Sequence, residues 1–245
     1  MRTLATTALT LVTIGGTAVA ADLSRPVYKP VPPLPPVMQN WSGLYVGLNA
    51  GGGIGTGSSD FSIAGVPAFL SVDNQLQGAI GGGQAGFNWQ TGAAVLGVEA
   101  DFQASGLKGS LTTPCLPGLC GALLTATYSQ KVPWFGTARA RIGYAANGWL
   151  LYATGGYAYA RLETDASVVA GPATATFTLR ETRNGWTAGT GIEVEFAPRW
   201  SAKLEYLYFD FGDTSSSLVL TGLPTITDDA HLTMNVIRGG VNFRF

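Results

Sequence analysis

The chain has 245 residues, with Lys+Arg 14 against Asp+Glu 15, so its net charge of −1 excludes a basic surface of the kind that holds nucleic acid. Charged residues make up only 12% of it, about half the roughly 25% of a soluble domain, while glycine, at 34 residues, runs near twice its usual ~7%. Sparse charge with abundant glycine and aromatics excludes an ordinary soluble helical protein and suits a β protein that meets lipid.

The chain opens as an export signal. Met1 and Arg2 supply a positive start, residues 4–14 an apolar run softened by threonine, and Ala18, Val19 and Ala20 an A-x-A cleavage site. Residues 1–20 are therefore expected to be a cleaved signal peptide. The run falls short of the ~20 residues a spanning helix needs, and no later apolar run reaches that length. No cysteine follows the cleavage site to carry a lipid anchor. Residues 21–40 come next, and PVYKPVPPLPP over 26–36 is extended and semi-rigid, as a spacer ahead of a folded domain would be.

From Trp41 to Phe245 the hydrophobic period becomes two. Strands are expected near 41–53, 76–90, 93–107, 126–144, 149–164, 174–196, 200–211 and 230–245. At the C-terminus Val236, Arg238, Gly240, Asn242 and Arg244 alternate with Ile237, Gly239, Val241, Phe243 and Phe245. One face is small or polar and the other mostly apolar, the signature of a membrane β-strand with lumen on one side and lipid on the other. Trp134 and Tyr144, like Trp186 and Phe196, bracket one face of a strand at a spacing of about 25 Å, the height of a barrel's apolar band. The expected fold is an all-β, eight-stranded antiparallel up-and-down transmembrane barrel over 41–245. Trp89, Trp134, Tyr144, Trp149, Trp186, Phe196, Trp200 and Phe243 are expected to form its aromatic girdles. Connectors alternate in length. Short ones fall at 91–92, 145–148 (with Asn147 and Gly148, a hairpin signal) and 197–199, and long ones at 54–75, 108–125, 165–173 and 212–229. That alternation places both termini in the periplasm and four loops at the cell surface. Asn184 and Gly185, a turn dipeptide within the sixth strand, suggest a bulge or a small extra hairpin.

The inward parity collects Glu99, Asp101, Glu193, Glu195 and Glu205 with Arg139, Arg141, Lys203, Arg238 and Arg244. Acids and bases match in number, and an eight-stranded barrel is only wide enough for its own side chains. Since an unpaired buried charge costs several kcal/mol, a salt-bridged lumen is expected, with Glu193 opposite Lys203 and Glu99 near Arg139. The same residues would set selectivity if the lumen held a water-filled pore.

Cys115 and Cys120, the only cysteines, lie in the second long connector and are expected to close a local disulfide in an exported chain. No further ligands stand nearby for a metal site. His231, the only histidine, follows Asp228 and Asp229 at the rim of the last strand, and without a nucleophile beside it suggests no catalysis. The glycine clusters 51–53 and 81–83 lack the Lys-Ser/Thr of a phosphate loop. No cofactor is expected.

Segments WSGLYVGLNAG (41–51), GGGQAGFNWQ (81–90), LGVEAD (96–101), GWTAGTGIE (185–193) and KLEYLY (203–208) resemble the small outer-membrane barrels of alphaproteobacteria. These are the porin-family proteins with an OmpA-like transmembrane fold. The Pro-rich leader is also similar to theirs. The resemblance implies an abundant barrel serving envelope integrity and surface contact, with a narrow passive porin as the alternative. Implied partners are outer-membrane lipid and lipopolysaccharide, the barrel-assembly machinery through the terminal Phe245, and a host or surface ligand at the loops. Some members are said to bind haemin, for which no ligand can be placed in this chain.

Overall fold

A computed structural model describes residues 40–63, 66–114, 124–170, 173–218 and 226–245. Residues 1–39, and with them the expected signal peptide and most of the Pro-rich segment, lie outside the described residues, as do Cys115 and Cys120. The strands are β1 (Gly43–Ile63), β2 (Val66–Thr91), β3 (Ala94–Pro114), β4 (Leu124–Ala146), β5 (Trp149–Ala170), β6 (Ala173–Ala197), β7 (Trp200–Leu218) and β8 (Ile226–Arg244). Each pairs antiparallel with the next, and β1 pairs with β8 to close an eight-stranded barrel. Closure leaves no free edge in the barrel wall, so every backbone amide there can bond within the wall, as lipid requires.

The start of β1, the end of β8 and the three tight turns share one end, called here the near end. Asn147 (φ 51) and Gly148 (φ 81) both take the left-handed conformation that matches a two-residue turn to strand twist. The β2–β3 turn is Gly92 and Ala93, one position later than expected, and the β4–β5 and β6–β7 connectors shrink to the two-residue turns 147–148 and 198–199.

The far end departs from the sequence reading. The expected long connectors are mostly strand, because β1–β2, β3–β4, β4–β5, β5–β6 and β7–β8 stay paired to Ile63↔Val66, Pro114↔Thr125, Leu124↔Ala170, Ala170↔Ala173 and Leu218↔Ile226. Pairing along β2–β3 stops at Gln77↔Lys108, and along β6–β7 at Trp186↔Asp210. Beyond those points the wall divides into two four-stranded sheets, β7-β8-β1-β2 and β3-β4-β5-β6. These ribbons need hydrogen-bonded partners but no lipid face, so they lack the apolar alternation that marks the barrel proper.

Asn184 and Gly185 form neither a bulge nor a hairpin. Their pairing with Tyr159 and Ala158 is continuous. Gly185 stands where β7 departs, and a Cβ there would overlap the Asp210 carbonyl, so the glycine serves close backbone approach. Asn184 points outward and accepts a hydrogen bond from the Tyr157 hydroxyl at 2.7 Å. A register shift does occur in β4, between Lys131 and Trp134, where Pro133 has no N–H to give the ladder.

The outer surface is apolar. Leu48, Leu151, Ile142 and Ile237 are 60–74% exposed. Near the turns, Trp89, Tyr144, Trp149, Phe196 and Trp200 face outward, and the Trp200, Phe243 and Phe245 rings touch in series at 5.1 and 5.3 Å. A second aromatic ring crosses the far half of the wall. Trp134 contacts Phe102 at 5.7 Å and Tyr159 at 5.9 Å, and Trp186 contacts Tyr208 at 5.5 Å.

Candidate functional site

The lumen is built in layers by the inward parity of all eight strands. At the near end Trp41, 1% exposed, packs with Val95, Ala145, Leu150 and Tyr152. Its backbone N–H donates to Gln90 Oε1 at 2.6 Å and the Arg244 guanidinium lies 5.1 Å from its ring centre. Arg244 also pairs with Glu195 at 2.7 Å, so these two stand apart from the other inward charges.

The middle layer holds those other charges. Arg139 of β4 donates to Glu99 Oε1 at 2.5 Å, Asp101 Oδ2 at 2.9 Å and Glu205 Oε1 at 3.0 Å, and its Nε donates to Thr137 at 2.9 Å. From the opposite wall, Arg238 of β8 reaches Glu205 Oε2 through Nε at 2.8 Å and Asp101 Oδ2 at 2.9 Å. Lys203 of β7 reaches both Glu99 oxygens at 3.1 and 3.0 Å. Strands on opposite sides of the barrel are therefore joined through its axis. All of these side chains are at most 4% exposed, and charges removed this far from water persist only when each is paired with an opposite charge.

The expected pair of Glu193 with Lys203 is not made. The two are register partners, but the Lys203 ammonium turns to Glu99, and Glu193 instead takes Arg141 at 2.9 Å, Ser201 at 2.5 Å and Asn242 at 2.8 Å. Register sets which residues face each other across a turn. A long side chain inside a narrow barrel can cross the lumen to a denser cluster of acids. Glu99 and Arg139 are register partners and also bond.

Two tyrosines that charge counting missed complete the layer. Tyr45 donates its hydroxyl to Glu99 at 2.7 Å and accepts from Arg141 at 3.0 Å. Tyr152 donates to Glu205 at 3.1 Å, and its ring lies 3.9 Å beneath the Arg141 guanidinium, within cation–π range. Gly86 makes room for the Tyr45 ring and Gly191 for the Tyr152 ring, since a Cβ on either would overlap them. Alternating glycines opposite a large inward residue are the signal that could have found both tyrosines.

Above the charges lies an apolar layer that the sequence reading also missed. Leu76, Leu107, Phe135, Leu207, Phe209 and Met234 are at most 1% exposed, and Phe135 meets Phe209 edge-on at 5.3 Å. Here the strands are apolar on both faces, as at Leu207 inside and Tyr208 outside, so alternation cannot tell lumen from lipid. His231 points away from this core between Asp213 at 2.9 Å and Asp210 at 3.9 Å. No cluster of three or more metal-ligating side chains occurs among the described residues.

Comparison with known proteins agrees with this architecture. Residues 8–245 match the family model of the outer membrane protein beta-barrel domain. The chain is 35% identical over 245 residues to a 31 kDa outer-membrane immunogenic protein of Brucella melitensis, covering 93% of each. It is 28% identical to a 25 kDa outer-membrane immunogenic protein of Brucella abortus, over 100% of this chain and 99% of that one. The crystal structure of the outer membrane protease OmpT from Escherichia coli superposes with a TM-score of 0.57 at 10% identity, covering 83% of this chain and 97% of that one, a likeness of fold alone. With its closed eight-stranded wall, its lipid-facing aromatic exterior and these relatives, the chain belongs to the outer membrane protein β-barrel domain family.

Proposed function

We propose that this barrel is a closed, non-catalytic scaffold of the outer membrane, which holds the envelope together and presents its far-end sheets at the cell surface. The single observation that carries the reading is the charged layer. Arg238 to Asp101 and Lys203 to Glu99 are bonds through the barrel axis, and they occupy the path a solute would take. Trp41 below and the Phe135–Phe209 layer above close the same axis twice more. In this reading the near end faces the periplasm and the terminal Phe245 is what the barrel-assembly machinery recognises. Residues 1–20 are removed on export, and Cys115 and Cys120 are joined. The relatives' names as immunogenic proteins support surface presentation. The far-end sheets are the place for a host or surface ligand.

A narrow porin is the competing reading. Asp101 Oδ1, Arg141 Nε, Arg238 Nη1 and both amide atoms of Gln103 are buried without a protein partner, and such atoms are where water would enter a lumen. Swelling of vesicles that carry the refolded chain separates the two. The scaffold predicts no more swelling in small sugars than empty vesicles show, and swelling that scales with protein content would favour the porin.

A further inference from the structure

Beyond the far aromatic ring the two four-stranded sheets end in free strand edges. The β6–β7 ladder stops at Trp186↔Asp210, while β6 stays paired to β5 without a shift as far as Ala173. Residues 173–185 therefore have a ladder partner on one side only. The Glu195 N–H donates to the Gly148 carbonyl beside β5, and a strand's amides alternate between its two neighbours. Odd-numbered residues of β6 thus bond β5. Thr174, Thr176, Thr178, Arg180, Thr182 and Asn184 turn their N–H and C=O groups to the side that β7 has left. β7 leaves at a bulge. Its register against β8 shifts between Asp210 and Asp213, and Gly212 takes a φ of 64°, a kink of the kind that bends a strand.

A bare edge is a template for another strand, and proteins that keep an edge free blunt it with proline, a bulge or lysine. Three of the four edges here are blunted. β7 has its bulge, β2 carries Pro67 and β3 ends at Pro114. β2 and β3 also stay close, since a Cβ on Gly109 would overlap the Gln75 carbonyl, so no strand fits between them. The β6 edge has no proline, lysine or bulge over 173–184, and most of its seam-facing residues are threonine, which suits a strand. Leu179, on the inner face by parity, is 40% exposed beside this seam. Arg180 is exposed on the outer face, paired with Glu163 at 3.4 Å. Its row across the sheet holds Lys108, Lys131, Glu163 and Arg180. Even with Asp165 drawn to Lys131, that row keeps a surplus of positive charge, which favours an acid at the same level on an added strand.

From this seam we infer that the free edge of β6 binds an extended segment of another protein as a fifth strand of the β3-β4-β5-β6 sheet, antiparallel to β6. The added backbone bonds the N–H and C=O groups of the even-numbered residues 174–184, an apolar side chain covers Leu179 and an acidic one meets Arg180. The inference rests on the reading that the far-end sheets stand at the cell surface, and it gives that surface a class of partner.

The test uses the refolded mature chain in lipid nanodiscs and a fluorescent synthetic peptide of about ten residues, alternating valine with threonine around one glutamate. Wild type binds it, and binding slows hydrogen exchange at the amides of Thr176, Thr178, Arg180 and Thr182 more than at the odd-numbered residues between them. The same peptide N-methylated at all its amides does not bind. Thr176→Pro removes a seam-facing N–H and leaves the ladder to β5 intact, so this variant keeps its heat-dependent gel mobility and binds about tenfold more weakly. Arg180→Gln weakens binding about threefold, and added salt narrows that difference. Absence of binding to folded wild type, equal binding of the methylated peptide, or wild-type affinity in Thr176→Pro would overturn the assignment. So would barrel dimers in detergent that the peptide dissociates, because the seam would then be filled by a second copy of this chain. Nanodiscs leave both ends of the barrel accessible, so this result stands apart from orientation, which surface labelling of an epitope inserted after Gly222 in intact cells reports separately.

Discussion

Arg139 holds three carboxylates, Glu99, Asp101 and Glu205, with no exposure of its own side chain. Arg139→Met keeps much of the volume and leaves those acids short of a cation. It should cost about 3–5 kcal/mol, measured by urea unfolding in lipid vesicles. A loss under about 1 kcal/mol would mean the acids are already solvated. The side-chain partners also predict which pairs couple. A double-mutant cycle of Glu99→Gln with Lys203→Met should show strong non-additivity, and one of Glu193→Gln with Lys203→Met much less, because Lys203 bonds Glu99 and not Glu193. Coupling in the reverse order would restore the register pair. At the near end, Trp41→Ala removes a buried indole from its cluster and should lower stability by about 3–5 kcal/mol, read in the same unfolding assay.

The elements differ in how far they can be read from sequence. Where one face of a strand meets lipid and the other meets charge, as in 200–206 or 236–245, alternation marks it plainly, and the barrel's strand number and near-end turns are legible. Two physical circumstances erase the signal. In the far half the lumen is itself apolar, so Phe209 and Phe211 look like any other large residues between Tyr208 and Gly212. Beyond the membrane the strands stay paired in water and need no apolar face, so 54–63 and 212–218 resemble loops. The charged residues of the site were legible because they are inward by parity and equal in number. Their pairing was not, since parity says nothing of where a lysine goes within a lumen. Gly185 offers a test at this scale. If it serves the close approach of β7, Gly185→Val should destabilise the barrel by about 1–3 kcal/mol, while Asn184→Thr should be nearly neutral. Were the dipeptide a turn, both changes would cost a similar amount. For the ribbons, hydrogen exchange in vesicles should find amides of 54–62 protected against exchange far beyond loop values, and loop-like exchange there would return the far end to four open connectors.

At the scale of the whole molecule, a wall closed by β1–β8 pairing resists detergent until heated. The mature chain should migrate faster on a gel before boiling than after, and equal mobility would contradict the closed barrel. What remains is whether the axis is closed as well as the wall. Near-end indole, central ion pairs and far-half phenylalanines stand in series, and a conducting path would have to pass all three. Single-channel recording of the refolded mature chain in a planar bilayer addresses this directly. The account predicts a silent membrane from protein shown to be folded by its heat shift. Steady stepwise currents whose ion selectivity changes on neutralising Arg139 or Glu99 would contradict it, because those side chains would then line a pore instead of closing one.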